Sequence, residues 1–395
     1  MTSAIETKEA VVDQDVSLIR GGPFYRAQLI TRLIRPHQWN LGRRIIFAVA
    51  IGWLPLVLLT AIFAPSAVVE LLTDYKVASR MLIAVPILLL GQILMESKFR
   101  TIVSTTREDL IAAPEMSQFD RILAEIAGLR DSVLPELVIA AIVVLHVVMS
   151  FSGKIGMAGD WAVLGAQAAS GAHLSPAGWY YVAVSQFIYQ FLVGLCLWKW
   201  LLWTLFVFKL SRMKLKLLAS HPDKHGGMGF MGMSTLAFAP LALAISAAIG
   251  ATWRYEILNT DSSLMSFKMP AIALLLIVVL LAVGPLLLFV PKLAPLRRKG
   301  ILQYGSLAHL HSEEFHYKWI LHRKGRELEF LAAPEVSTLT DLAASFENVE
   351  KMKAVPLDKG SLMAPLIATV LPLLPAVMAQ VPLKVIFKSL LEAMK

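Results

Sequence analysis

One ten-residue string, His221–Phe230, gathers the residue types that could do chemistry. Its side chains include two imidazoles and one carboxylate, those of His221, Asp223 and His225. Three ligands of this kind can hold a metal ion and leave one coordination position open. The glycines of the string also leave backbone N–H groups available to receive an anion.

A turn is the simpler interpretation of the same string. Pro222-Asp223 starts turns, and Gly226 and Gly227 allow positive φ and close backbone approach. The spacing of the histidines matches no usual zinc motif, so we favour the turn and expect no cofactor. A metal ion held by His221, Asp223 and His225 is the less favoured alternative.

A second set of polar residues lies inside long apolar runs. An ionised side chain at mid-bilayer costs about 2.5–3.5 kcal/mol, so such residues face a bundle interior or water. Two interpretations stay open: a polar path for ions or protons, or a buried ion pair of Lys199 with Glu136 or Glu96. The residues concerned are Gln92, Glu96, Glu136, His146, Gln190 and Lys199, with Gln186 and Tyr189 beside them.

The composition shows which kind of element must position these residues. The 395 residues are 57% hydrophobic and 16% charged, with a mean hydropathy of +0.65. Soluble domains are about 45–50% apolar and about 25% charged, so lipid is the expected solvent. The single cysteine, Cys196, excludes a disulfide scaffold. No nucleotide-binding or hydrolase motif is present.

We predict an all-α polytopic integral membrane protein. A bilayer of roughly 30 Å needs about 20 helical residues per span. A basic amphipathic segment, residues 1–44, precedes the transmembrane domain 45–290, and a cytoplasmic helical region 291–360 and a membrane-associated tail 361–395 follow it. The six predicted spans are 45–64, 81–98, 134–151, 179–208, 233–252 and 269–290.

The basic residues predict orientation. With the N-terminus inside, the inner segments carry 28 Lys and Arg and the outer segments carry 5. This bias places the N-terminus in the cytoplasm. The expected partners are the lipid bilayer, anionic lipids at the basic inner segments, and further copies of the chain. Nucleic acid is not expected, although the net charge is +9, because the basic residues lie between apolar runs.

The tail and the ends of the second span are less regular. Leu362–Val381 is apolar enough to cross a membrane, but Pro365, Pro372 and Pro375 interrupt it and Pro382 follows it. We favour a re-entrant hairpin turning near Pro372–Pro375, with a plain seventh helix as the alternative. Arg80 and Lys98 are expected to reach outward to the lipid headgroups.

The loop string also carries a resemblance. His-Pro-Asp-x-x-Gly-Gly-x-Gly-Phe between two spans resembles an uncharacterised family of bacterial multi-pass membrane proteins. Three further strings fit it: Gly21–Tyr25, Trp53–Leu56, and Leu339–Leu342 with Ser345-Phe346. The resemblance implies a bacterial inner (plasma) membrane and no established activity.

The expected function is a homo-oligomeric ion channel or transporter with a cytoplasmic helical gate region. The alternatives are a non-catalytic membrane scaffold or assembly protein and, third, a membrane-embedded metal-dependent enzyme using His221 and Asp223. We expect an enzymatic activity less than a non-enzymatic function, because the common catalytic motifs are missing from the sequence.

Overall fold

The computed structural model describes residues 17–35, 38–151, 160–164, 173–260, 262–321 and 334–380. Residues 1–16 and 381–395, parts of two predicted segments, lie outside the described residues. The helices are α1 Pro23–Ile30, α2 Leu41–Phe63, α3 Val68–Thr73, α4 Tyr75–Leu110, α5 Met116–Asp131, α6 Leu134–Phe151, α7 Pro176–Leu210, α8 Gly229–Asn259, α9 Leu264–Leu287, α10 Val290–Phe315, α11 Pro334–Glu350 and α12 Lys359–Val377. Two-residue strands, Val163–Leu164 and His173–Leu174, pair antiparallel.

The chain is an all-α polytopic membrane protein. Six helices, α2, α4, α7, α8, α9 and α12, are long and apolar enough to cross a bilayer. The predicted span 134–151 is α6, which follows α5 at a bend of 41°. Large apolar side chains on these helices point outward, as Ile46 (71% exposed) and Leu280 (67% exposed) do. Such exposure is stable only where hydrocarbon is the solvent.

The tail forms a helix, α12, where a hairpin was expected. Ser361 contacts Thr235 at one end of α8, and Pro375 accepts a hydrogen bond from Arg254 at the other end. The two helices therefore run side by side in the same direction. Pro372 and Pro375 lie in the first turns of new helical segments, where the missing N–H is not needed. The expected reversal near Pro372–Pro375 is wrong for this reason.

Prolines within the spans leave carbonyl groups without their usual partner, and neighbouring helices supply donors. Pro365 has no N–H for the carbonyl of Ser361, and Thr235 Oγ1 donates to that oxygen at 2.6 Å. In hydrocarbon a freed carbonyl costs several kcal/mol unless protein satisfies it. Two further examples follow the same rule: Tyr180 Oη donates to Ile51 O at 2.6 Å opposite Pro55, and Trp200 Nε1 donates to Leu281 O at 3.1 Å opposite Pro285.

The connections collect at one end of the bundle, called here the basic end. It comprises α1, α5, the loop 211–228, α10 and α11, and the other end is called the opposite end. At the basic end, Leu18 and Ile19 are fully buried in the main core. The N-terminal segment, described for residues 17–35 and 38–40, is therefore anchored in the protein by its buried residues, whereas the sequence predicted a surface segment. Helices form in the regions predicted to be cytoplasmic, as α5, α10 and α11, and α10 and α11 pack on each other.

Candidate functional site

A polar pocket of about 560 Å³ opens at the opposite end of the bundle. It lies between α4, α7 and α8, with α6 contributing one histidine. The structure brings together here four residues that the sequence placed near each other, His146, Gln186, Tyr189 and Gln190. The sequence missed the other polar lining residues, which are Lys76, Arg80, Tyr181, Thr252, Tyr255, Glu256 and Thr260.

Arg80 is the central cation of this pocket. Its Nη1 donates to the Tyr181 hydroxyl at 2.6 Å, and its Nη2 lies 3.5 Å from Thr252 Oγ1. The expected extension of Arg80 to the headgroups is wrong, because these partners draw the side chain into the pocket. Arg80 belongs to the π-helical turn Ser79–Ala84, and Tyr181 belongs to the π-helical turn Tyr181–Ser185. Such turns inside longer helices are frequent at functional sites.

The pocket carries charges of both signs. Lys76 Nζ lies 3.6 Å from the centroid of the Tyr255 ring, and Glu256 is the carboxylate among the lining residues. Both carboxylate oxygens of the neighbouring Asp74 accept hydrogen bonds from the protein. Oδ1 accepts from Lys76 N at 2.9 Å, and Oδ2 accepts from Trp161 Nε1 at 3.1 Å. The two cations, Lys76 and Arg80, are thus accompanied by the lining carboxylate of Glu256 and by the Asp74 carboxylate, and these four charges balance.

A second polar group, called here the arginine cluster, is buried towards the basic end. It consists of the buried residues Gln28, Arg44 and Gln92 and the half-buried Lys199. Arg44 is 3% exposed and donates from Nε to Gln28 Oε1 at 2.7 Å and from Nη2 to Gln92 Oε1 at 2.8 Å. The Trp39 ring covers its guanidinium at 5.4 Å. The sequence missed Arg44 because it stands at the start of a span, where arginines usually flank lipid.

The carboxylates expected to pair with Lys199 have other partners. Glu96 accepts from Ser17 Oγ at 2.6 Å and from Arg100 Nη2 at 2.8 Å. Glu136 accepts from Phe24 N at 2.7 Å. Within the described part of the chain, neither lies within 4 Å of Lys199. The expected ion pair is therefore not formed, since the N-terminal segment occupies both acids.

An apolar layer separates the pocket from the arginine cluster. Along α4 it contains Val85 and Leu88, and along α7 it contains Leu192 and Leu195, all buried in the main core. Arg80 and Gln92 are twelve positions apart, which is roughly 18 Å along a helix at about 1.5 Å per residue. The polar residues thus form two levels, and the structure is closed between them.

The His221–Phe230 string forms a turn around one carboxylate. Asp223 Oδ1 accepts from His225 N at 2.8 Å and from Gly227 N at 3.1 Å, and Oδ2 accepts from Gly229 N at 2.8 Å. Burial alone would raise the pKa of Asp223. These three N–H donors, with His221, outweigh burial and hold the pKa below its ordinary value. The N–H groups expected to receive an anion thus serve Asp223.

The imidazoles of this turn do not converge on a metal position. His225 Nδ1 lies 2.6 Å from the carbonyl oxygen of Asp223, and His221 Nδ1 lies 2.8 Å from Asp223 Oδ1. Gly226 and Gly227 have φ of 69° and 92°, as the turn interpretation requires. Among the described residues, no group of three or more His, Cys, Asp or Glu side chains could hold a metal ion.

Comparisons with family models, with curated proteins and with solved structures found no match to this chain. The resemblance carried by the loop string therefore stays a prediction.

Proposed function

We propose that this chain moves a small polar solute across a membrane. The observation that carries the proposal is the Arg80–Tyr181 contact at the meeting of two π-helical turns inside a pocket of about 560 Å³. A volume of this order holds a small molecule. Buried polar groups in membrane helices typically mark substrate or ion pathways.

The two polar levels favour a transporter over an open channel. The pocket is open at the opposite end, while an apolar layer and the N-terminal segment close the route towards the basic end. Alternating access requires such a pocket, closed on one side at a time. In this proposal, the basic end faces the cytoplasm of a bacterial inner membrane, and Ser17–Asn40 belongs to the gate.

The proposal is tested by solute entry into vesicles that contain the purified protein. Light scattering reports the swelling that follows entry of any solute, so a panel of small anions, cations and neutral solutes can be compared. We expect entry of at least one polar solute, reduced about tenfold or more by Arg80→Gln. The matched control is Arg298→Gln, an exposed position on α10. Entry of no solute into wild-type vesicles would contradict the proposal.

A scaffold is the second candidate, because α10 carries exposed apolar side chains. Leu302, Leu307 and Leu310 are 75%, 53% and 56% exposed. This helix lies at the basic end, where hydrocarbon does not cover it in the proposed arrangement. The triple variant with serine at these positions should then lose a bound partner, including a second copy of the chain. Unchanged oligomer size and co-purifying proteins would remove this candidate.

A further inference from the structure

The arginine cluster contains buried hydrogen-bond donors that lack a strong acceptor. Arg44 Nη1 and Gln92 Nε2 are both inaccessible, on side chains that are 3% and 1% exposed, and neither has an oxygen or nitrogen acceptor; the Gln92 amide faces the Cys196 thiol, which is a weak acceptor. The oxygens of Gln28 and Gln92 already accept from the other guanidinium nitrogens. A buried donor without a partner costs about 1–3 kcal/mol, so two on adjacent side chains indicate a missing acceptor.

The positive charge of the cluster is also not neutralised by contact. Within the described residues, no carboxylate lies within ion-pair distance of Arg44 or Lys199. Lys199 makes no hydrogen bond there; Arg44 repels it, and Glu96 and Glu136 attract it from beyond contact distance. Glu96 is held by Ser17, Arg20 and Arg100, with Arg20 Nε 3.9 Å from Glu96 Oε1. Arg44 therefore keeps a buried positive charge with no acid in contact, which is costly unless a negative charge accompanies it.

We infer that the arginine cluster binds one halide-sized inorganic anion, with chloride as the ligand class. Arg44 Nη1 and Gln92 Nε2 donate to the anion, and Lys199 supplies the second positive charge. The pocket of about 560 Å³ is lined by other residues, and Gln28, Arg44 and Gln92 are 6%, 3% and 1% exposed, so a larger organic anion has no room beside them.

This site goes beyond the proposed transport function and does not depend on it. The anion would join α2, α4 and α7, the helices that carry Arg44, Gln92 and Lys199. It would also hold the N-terminal segment, because Gln28 of α1 shares the same guanidinium. A ligand that binds the folded chain alone raises its stability in proportion to occupancy.

The test is thermal unfolding of the purified full chain, followed by tryptophan fluorescence, as chloride replaces gluconate at constant ionic strength. We expect a saturable rise of the midpoint by a few degrees, reproduced by bromide. Arg298→Gln should behave like wild type. An unfolding midpoint that does not change as chloride or bromide replaces gluconate would overturn the inference.

A second variant keeps the inference testable if Arg44→Gln does not fold. Gln92→Glu retains the shape of the side chain and puts a carboxylate beside Arg44 in place of the anion. We expect this variant to be as stable without chloride as wild type is with chloride, and to show no chloride dependence. A retained chloride dependence would overturn the assignment to this cluster. Since no flux is measured, failure here is distinct from failure of the transport proposal.

Discussion

The Tyr181 hydroxyl accepts a 2.6 Å hydrogen bond from Nη1 of Arg80, and so two π-helical turns from different helices are joined inside the pocket. Tyr181 is 3% exposed. A charged hydrogen bond in such a place does two things. It holds the guanidinium away from the headgroups, and it fixes the relative position of α4 and α7 at the mouth of the proposed route.

Removing this hydroxyl should therefore weaken the folded state. Tyr181→Phe keeps the ring and removes one acceptor from a guanidinium, which should lower the free energy of unfolding by about 1.5–3 kcal/mol. The measurement is thermal or denaturant unfolding in detergent. Tyr75→Phe is the control, because Tyr75 is 46% exposed. Equal stability of the two variants would contradict the importance assigned to the Arg80–Tyr181 contact.

The pairing of prolines with donors from other helices can be tested by a double-mutant cycle. Tyr180→Phe removes the donor to Ile51 O, which Pro55 leaves without a backbone partner. We expect a loss of about 1 kcal/mol in the wild-type background. In the Pro55→Ala background the new N–H can reach Ile51 O, so the same substitution should cost little.

The measurement for this cycle is the unfolding free energy of the four proteins. A coupling of about 1 kcal/mol supports the account. Additive losses would mean that Tyr180 stabilises the bundle by packing alone. The same comparison at Thr235 and Pro365 would show whether the rule extends to α12.

The Asp223 turn should give a pH-dependent contribution to stability. Asp223→Asn loses the charged acceptor of three backbone N–H groups, which should cost roughly 1–3 kcal/mol at neutral pH. The folded pKa of Asp223 is lowered, so the contribution is present above the unfolded pKa of about 4 and is lost as pH falls through the folded pKa.

The stability difference between wild type and Asp223→Asn is the quantity to measure as a function of pH. It should be constant above about pH 5 and shrink below about pH 4. Asp341→Asn, at an exposed position on α11, is the control. A difference that grows on acidification would show that the carboxyl is protonated more easily in the folded state, contrary to the geometry of the turn.

The docking of the N-terminal segment depends on Glu136. This carboxylate accepts from Phe24 N in the first turn of α1, and Asp131 accepts from Gly22 N at 2.9 Å. Glu136→Ala should weaken the docking of α1 and so speed trypsin cleavage at Arg26 and Arg32, which are both exposed. A loss of about 1.4 kcal/mol in docking free energy corresponds to a rate about tenfold higher. Glu108→Ala is the control, and equal rates in the two variants would contradict the docking.

The general architecture could be predicted from the sequence because a membrane-spanning helix is recognised from one continuous apolar run, without knowledge of distant contacts. Long apolar runs specify helices wherever hydrocarbon is the solvent, and this is true of α2, α7, α8 and α9. The His221–Phe230 turn was also predictable, since its proline, aspartate and glycines act through neighbouring backbone groups. The alternative, in which the backbone N–H groups of this string bind an anion, was wrong because these groups donate to the Asp223 carboxylate.

The buried polar contacts could not be predicted, because each joins positions far apart in the chain. Ser17 with Glu96 and Arg44 with Gln92 are separated by 79 and 48 positions. A basic residue at a span end has the same local sequence whether it flanks lipid or enters the bundle. The hairpin expected in the tail failed for a similar reason, since the donor that makes Pro365 tolerable in a helix comes from Thr235 of α8.

Access of a thiol reagent to the pocket from each side of the membrane tests the central claim most directly. Cys196 is the single cysteine, so a Cys196→Ala background leaves Gln186→Cys as the only target. The control is Leu280→Cys on the lipid-facing surface of α9. If the chain moves solutes, a membrane-impermeant reagent should label Gln186→Cys from both sides and Leu280→Cys from neither. Labelling of Gln186→Cys from the opposite end alone would show a closed binding pocket and contradict transport.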